Sequence, residues 1–146
     1  MSTRCNIIVK DDWGEIIFYR HSDGYPEGVK PTLTKLLDML DTDLRNNVSQ
    51  FSGWLVLIGA WEYEKYIAKN SKNFIVNHKY SHDGWKVGAY EPAPELSGDI
   101  EYLYIFDLEK KEIQVYKYRE DYETGKVTKK LIDTWKNEVK TKLEIV

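Results

Sequence analysis

A nine-residue segment, residues 20–28, concentrates side chains that can bind an anion or transfer a proton. It reads Arg-His-Ser-Asp-Gly-Tyr-Pro-Glu-Gly. An arginine offers a planar fork for phosphate or carboxylate, a tyrosine offers a stacking face with a polar tip, and glycine amides can line an anion-binding concavity. The segment therefore predicts a loop that binds a small anionic, nucleotide-like ligand. The residues expected to contact the ligand are Arg20, His21, Asp23, Tyr25 and Glu27.

The same segment has an interpretation that involves no ligand. Asp-Gly is a common turn signal, because Asp bonds to its own backbone and Gly tolerates a positive φ. Pro26 would stiffen such a turn. A weaker copy of the pattern, Tyr-Ser-His-Asp-Gly-Trp, occurs at residues 80–85, and there the structural interpretation is favoured. For residues 20–28 both interpretations stand.

Catalytic and metal-binding patterns are weaker than the binding pattern. His21 with Asp23 or Glu27 is a possible general acid–base pair, but spacing alone does not give its geometry. Imidazole and carboxylate groups of the kinds that bind Zn or Mn occur at five positions: His21, Asp23, His78, His82 and Asp83. Because no HExxH or HxH pattern is present, we predict no metal site and name no cofactor.

The motifs of common enzyme classes are absent from the chain. There is no GxSxG, GxxxxGK[ST] or GxGxxG sequence, so the usual nucleophile elbow and phosphate loops are excluded. Cys5 lies in an apolar run and is predicted to be a small core residue. We therefore favour a function other than catalysis.

Length and composition predict one folded domain over residues 1–146, and the strand and helix patterns below assign it to the α+β class. The chain is 42% hydrophobic and 31% charged, which excludes disordered and membrane-embedded classes. Its net charge of -3 disfavours a nucleic-acid coat. The longest apolar run, residues 54–61, is far shorter than the ~20 residues that span a bilayer. A single cysteine and the lack of a signal-peptide pattern in the first nine residues predict a cytoplasmic protein.

Strand and helix signals are clearest in the first half of the chain. Residues 5–9 and 16–19 predict two strands joined by a turn, and residues 21–31 predict a structured loop. A helix is expected after Pro31, with Thr32 or Thr34 as N-cap. A second helix is predicted from Val48 to about Ala68; its middle is apolar nearly all round, so we expect it to lie between two layers. Close approach of another backbone would explain its two glycines, Gly53 and Gly59.

The second half of the chain predicts mostly strands. Short strands are expected at 74–76 and 85–90, an irregular loop at 91–95, and a hairpin formed by 100–108 and 112–119. Residues 126–143 fit either a helix or an edge strand. The charged residues of 107–117 and 120–130 mix both signs, which we interpret as solvated hairpin edges. The predicted fold is α+β, with a largely antiparallel sheet of five or six strands and two or three helices.

Two sequence segments occur together near the start of the chain: Ser2-Thr3-Arg4 and His21-x-Asp23-Gly24-Tyr25-Pro26-Glu27. With them the chain resembles a group of small uncharacterised proteins of bacteriophages, prophages and plasmids, mainly over its first 30 residues. A looser similarity includes Gly53-Trp54-Leu55 and Ile58-Gly59. The resemblance implies an origin in a mobile genetic element and a role in the host cytoplasm. It assigns no catalytic residue, since the group has no assigned reaction.

Together these observations favour a phage- or prophage-type binding protein. It would either sequester a small anionic nucleotide-like ligand or inhibit a host defence protein. One alternative is a small phosphoesterase or nucleotide hydrolase that uses His21 and Asp23. Another is a structural protein whose exposed aromatic side chains form a homo-oligomeric interface. We expect no membrane partner and no nucleic-acid partner.

Overall fold

The computed structural model describes residues 3–70 and 90–137, and in the second helix it describes side chains as far as Glu62. The chain forms strands and helices in the order β1 (Cys5–Lys10), β2 (Glu15–Arg20), α1 (Pro26–Asp38), α2 (Val48–Asn70), β3 (Glu91–Ala93), β4 (Tyr102–Asp107), β5 (Glu112–Glu120) and β6 (Val127–Lys136). The predicted strand at 74–76, residues 85–89 of the strand predicted at 85–90, and the second His-Asp-Gly segment lie outside the described residues, and Tyr90 itself is not in a strand.

The six strands form one sheet with the order β3-β2-β1-β4-β5-β6. All neighbouring strands are antiparallel except β1 and β4, which run parallel in the centre with Ile7 opposite Tyr104. The parallel pair is possible because the chain between β1 and β4 includes both helices and β3. The mostly antiparallel α+β fold predicted from the sequence is therefore confirmed.

The main core lies between one face of the sheet and the two helices. We call this the helix-side face. Side chains alternate along each strand, so Ile7, Tyr104 and Val115 share this face across β1, β4 and β5. The helices add buried side chains at Val29, Leu33, Leu36 and Leu37 in α1 and at Phe51 and Leu55 in α2. Burying each large apolar side chain contributes about 1.5–3 kcal/mol.

Helix α1 begins at Pro26, where the missing proline N–H costs no hydrogen bond. Tyr25 is the N-cap residue and makes no side-chain capping bond. Glycine is required at position 28 in the first turn because a Cβ there would overlap the carbonyl oxygen of Asp23. The first turn of α1 thus folds tightly against the loop that precedes it.

The predicted start of α1 after Pro31 is wrong. Pro31 lies inside the helix, although it removes one backbone hydrogen bond. The side chains of Val29 and Leu33 on either side of it are fully buried, so core packing outweighs the proline. The proposed N-caps fall inside the helix: Thr32 is buried and Thr34 Oγ1 donates to the Lys30 carbonyl.

Helix α2 matches its predicted span, but its surroundings differ from the expectation. Asp11 of the β1–β2 turn accepts a hydrogen bond from the Val48 N–H at 2.9 Å, which caps the helix N-terminus and lowers the pKa of that carboxyl. Trp54 and Leu57 are exposed, and a Cβ on Gly53 would meet nothing within 4 Å. The expected second covering layer and the close approach at Gly53 are therefore wrong for the described residues.

The opposite face of the sheet is covered partly by the segment 94–101. Asn6 in β1 holds this segment, because its Oδ1 accepts from the Ser97 N–H at 2.8 Å while its Nδ2 donates to the Phe18 carbonyl. Ile100 packs there with Leu103. Residues 91–93, predicted as irregular, form the edge strand β3. Pro92 is tolerated because an edge strand leaves one side of its backbone unpaired.

The two possibilities left open for residues 126–143 resolve to a strand over the described part, Val127–Lys136. The register with β5 shifts between Val115 and Tyr116. Leu131 therefore pairs with Tyr116 on one face, whereas Trp135 pairs with Ile113 on the helix-side face. The bulge puts Leu131 and Trp135 on opposite faces, so the four-residue apolar pattern does not mark one buried face in this strand.

Candidate functional site

The loop that joins β2 to α1 is fixed by contacts with the centre of the sheet. The Gly24 N–H donates to the Thr3 carbonyl at 2.9 Å, and the Tyr104 hydroxyl donates to the Gly24 carbonyl at 2.7 Å. A Cβ on Gly24 would lie 2.9 Å from both the Cβ and the backbone nitrogen of Cys5. The loop is therefore held at a position where only glycine fits.

Arg20, the first predicted ligand residue, points into the protein. Its side chain lies on the helix-side face opposite Cys5 and is 5% exposed. The guanidinium stacks on the Tyr90 ring, 4.7 Å from the ring centroid, and its Nε donates to the Ser22 carbonyl at 2.8 Å. Its Nη1 has no hydrogen-bond partner in the described part of the chain. The contacts of Arg20 thus tie β2 to Tyr90 and to the loop.

Burial around Arg20 changes the titration of its neighbours. Desolvation raises the pKa of the Cys5 thiol from 9.0 to about 12, although the Arg20 charge opposes this shift. Desolvation also raises the pKa of the Tyr90 phenol above its ordinary value, again against the effect of Arg20. A thiol with so high a pKa is protonated at neutral pH, so Cys5 is a core residue rather than a nucleophile.

His21 lies in a partly buried polar group. Its Nδ1 lies at hydrogen-bond distance from the Tyr19 hydroxyl, 2.9 Å, and accepts from Arg4 Nε at 3.4 Å. Arg4 also forms an ion pair with Asp99 at 3.5 Å. Because an arginine nitrogen can only donate, Nδ1 is the acceptor in the contact with Arg4. Through Arg4, His21 and β2 are thus connected to the loop before β4.

The other three predicted residues surround the start of α1. Asp23 is exposed and has a φ of 56°, Tyr25 is 38% exposed, and Glu27 lies in the first helical turn. Asp23 and Glu27 bring negative charge to a helix N-terminus, which favours the helix. These three side chains point outward, whereas Arg20 points into the core. None of the five predicted ligand residues lines the clefts that are described next.

The largest of those clefts lies where the segment before β4 meets the ends of β5 and β6. It has a volume of about 510 Å³. We call it the hairpin cleft, lined by Gly98, Asp99, Ile100, Glu101, Lys117, Tyr118, Arg119, Glu120, Thr128 and Lys130. Ile100 and Tyr118 are its buried residues. The cleft therefore combines apolar contact area with a charged rim.

Strand register concentrates positive charge on one face of this hairpin. Lys117 lies directly opposite Lys130, and Arg119 lies opposite Thr128. Like charges directly opposite each other destabilise a strand pair. Within the described ranges no carboxylate forms an ion pair with any of the three cations. Lys117 instead lies over the Tyr102 ring, with its ammonium 4.7 Å from the centroid. The three cations therefore form a cationic group on this face of the hairpin, and the Arg119 charge also acts on the Asp121 carboxylate, whose pKa it helps to lower.

A neighbouring cleft of about 220 Å³ extends this surface along the hairpin. It is lined by Arg119, Asp121, Lys126 and Thr128, and it shares Arg119 and Thr128 with the hairpin cleft. The sequence analysis interpreted this hairpin as a pair of solvated edges because it counted positive and negative charges together. It therefore missed that strand pairing collects the positive charges on one face. The sequence did contain a signal for this arrangement, because side chains two residues apart in a strand point to the same face. Lys117 and Arg119 are two residues apart in β5, as are Thr128 and Lys130 in β6.

A third cleft, of about 280 Å³, separates α1 from β6. Lys30 lies over the Trp135 ring at 5.3 Å, and Trp135 Nε1 donates to Asp133 Oδ2 at 2.9 Å. Since these contacts are made within the protein, this cleft is better explained as packing between helix and edge strand.

The described residues contain no group of three or more metal-ligating side chains. In the same part of the chain, no helix has the length and apolar character needed to cross a membrane. His78, His82 and Asp83, considered above as ligands, lie outside the described residues.

Comparison of the chain with protein-family models, with curated proteins and with solved structures finds no match in any of the three.

Proposed function

We propose that this protein is a binding protein that holds a small anionic, nucleotide-like ligand in the hairpin cleft. The observation that carries the proposal is the group of three cations, Lys117, Arg119 and Lys130, on one face of the hairpin. A bound anion would relieve their mutual repulsion, and Arg119 offers the planar fork that suits phosphate. We thus propose a ligand site at the hairpin instead of the site at the β2–α1 loop that the sequence predicts.

The size and lining of the cleft support a small ligand rather than a polyanion. Its volume of about 510 Å³ lies within the range of about 300–1,000 Å³ typical of small-molecule sites. Ile100 and Tyr118 lie behind this lining and are only 3% and 8% exposed, so the cations are the groups that a ligand would meet. Asp99, Glu101 and Glu120 lie on the same lining, and their carboxylate oxygens can accept hydrogen bonds from a base or sugar.

The resemblance to mobile-element proteins suggests a purpose for such binding. A protein of this kind in the host cytoplasm would lower the free concentration of its ligand and would need no catalytic group. The protein could instead inhibit a host defence protein. It would then bind that protein through the hairpin surface or deprive it of the ligand.

Isothermal titration against pyrophosphate, ADP and a cyclic dinucleotide tests the proposal. We expect heat with at least one of these anions, and at least tenfold weaker binding in the double variant Lys117→Gln/Lys130→Gln. The matched control Lys35→Gln/Lys110→Gln changes the net charge equally at exposed positions outside the cleft and should bind as the wild type does. No heat with any anion, or equal loss in both double variants, would refute the proposal.

A further inference from the structure

Arg20 carries a positive charge in the core of the protein. Its side chain is 5% exposed, and none of the carboxylates in the described ranges forms an ion pair with it. Its Nε donates to the Ser22 carbonyl, whereas its buried Nη1 has no hydrogen-bond partner in the described part of the chain. A charge in the interior is costly unless it is paired and hydrogen-bonded. The Nη1 side of the guanidinium is therefore the place where a negatively charged partner would stabilise the core.

Tyr90 brings a second hydrogen-bond donor to the same place. The Arg20 guanidinium covers the Tyr90 ring, 4.7 Å from its centroid. Tyr90 is 3% exposed, and within the described residues its buried hydroxyl has no partner at normal hydrogen-bond geometry. Desolvation raises the pKa of this phenol although the Arg20 charge opposes the shift, so the hydroxyl keeps its proton at neutral pH and can donate. Two donors without acceptors thus lie next to each other inside the protein, which is the environment that an anion prefers.

The acidic side chain of this region, Glu62 in α2, has another partner. Its carboxylate accepts a hydrogen bond from Thr32 Oγ1 of α1, and its charge acts on the pKa of the Tyr90 phenol less than burial and Arg20 do. No ion pair joins Glu62 to Arg20 in the described residues. The carboxylate is thus held by α1, and the guanidinium is left for a partner that does not belong to this part of the chain.

We propose that Arg20 Nη1 and the Tyr90 hydroxyl bind a small monovalent anion of the halide class, chloride in a cell, between β2 and the helices. The surroundings set the size of the anion. Arg20, Tyr90 and Thr32 are at most 5% exposed, and none of them lines the three clefts described above. A phosphate or nucleotide needs a cleft of that kind, whereas a halide needs little more room than a buried water. The site is separate from the hairpin cleft and does not depend on the function proposed for it.

Thermal unfolding at constant ionic strength tests for the anion, with sodium gluconate replacing sodium chloride. We expect the wild-type Tm to rise by at least about 4 °C between about 1 and 200 mM chloride, because a ligand that binds only the folded state stabilises it. Arg20→Met removes the charge and should abolish this rise. The matched control Lys117→Gln/Lys130→Gln removes charges from the hairpin cleft and should keep the rise. A wild-type Tm that does not depend on chloride, or a rise lost in the hairpin variant alone, would overturn the proposal.

Bromide locates the anion in the wild-type protein, so this second test does not require Arg20→Met to fold. Anomalous diffraction from crystals grown in bromide should show a peak beside Arg20 Nη1 and the Tyr90 hydroxyl. A water molecule at that place, with no anomalous signal, would overturn the proposal. Glu62→Gln removes a negative charge that repels the anion and should lower the chloride concentration at half of the Tm rise at least about threefold. A rise that occurs only in Glu62→Gln would show that Glu62 is the counter-ion of Arg20 and would also overturn the proposal.

Discussion

Removal of one charge from the hairpin cleft should make the protein more stable. Lys130 lies directly opposite Lys117, with Arg119 two residues along the same face. Lys130→Gln keeps the length of the side chain near that of lysine and removes the charge. Lys130 is the better choice because Lys117 also contacts the Tyr102 ring, so its replacement would change two interactions.

The size of the effect follows from the cross-strand geometry. Side chains directly opposite each other have Cβ atoms about 5 Å apart, and two lysine ammonium groups splay to roughly 8 Å. Two like charges at that distance in water repel by about 0.5 kcal/mol. Salt at 0.15 M screens this to about 0.2 kcal/mol, whereas 0.01 M leaves most of it. With Arg119 included, Lys130→Gln should raise the free energy of unfolding by roughly 0.5–1 kcal/mol at low salt.

Urea denaturation at 0.01 M and 1 M salt measures this effect. We expect a gain for Lys130→Gln at low salt that disappears at high salt, and no gain for the control Lys130→Arg, which keeps the charge. A gain that persists at 1 M salt would show that packing rather than charge is responsible. A loss of stability at low salt would show that Lys130 has a protein counter-ion and would refute the reasoning.

Three further predictions concern the contacts that fix the β2–α1 loop and the buried titratable groups. Circular dichroism during urea or pH titration measures the stability that each of them changes. Tyr104→Phe removes the 2.7 Å hydrogen bond to the buried Gly24 carbonyl and should cost about 1–3 kcal/mol of stability. An unchanged midpoint of urea unfolding would mean that water replaces the hydroxyl. Gly24→Ala should lower the free energy of unfolding by about 1–3 kcal/mol, because the added Cβ would lie 2.9 Å from Cys5 and from the Thr3 carbonyl. No change in stability would mean that the loop is free to move away from these atoms. From neutral pH to about pH 9 stability should be constant, and above that pH it should fall, because the unfolded chain loses protons that the folded chain retains. Burial raises the pKa of Cys5 from 9.0 to about 12, which alone costs about 3 kcal/mol at pH 11. Burial also raises the pKa values of Tyr90 and Tyr104, which add to the loss above pH 10. Constant stability to pH 11 would contradict the burial of these groups.

Local patterns in the sequence were sufficient where one signal dominates. Alternating apolar residues predict β1, β2 and the β4–β5 hairpin, and the length of the apolar pattern predicts α2. They fail where long-range packing decides. Pro31 favours a helix start at its own position, but the buried Val29 and Leu33 extend α1 back to Pro26. Pro92 predicts an irregular segment, yet pairing with Phe18 makes it part of an edge strand.

The candidate site depended even more on long-range arrangement. The β2–α1 loop contains the right residue types in sequence, but β2 places Arg20 beneath Tyr90, which the spacing of residues does not reveal. The three cations of the hairpin cleft are distributed over 14 residues of sequence. They converge only through the register of β5 with β6, and that register includes a bulge that a sequence pattern does not locate.

The position of a bound anion tests the central claim most directly. Amide chemical shifts of the isotope-labelled protein can be followed during titration with pyrophosphate or with the nucleotide that gives the most heat. We expect the largest shifts at residues 98–101, 117–120 and 128–130, around the hairpin cleft. Shifts confined to residues 21–27 would place the ligand at the β2–α1 loop instead and would contradict the proposed site.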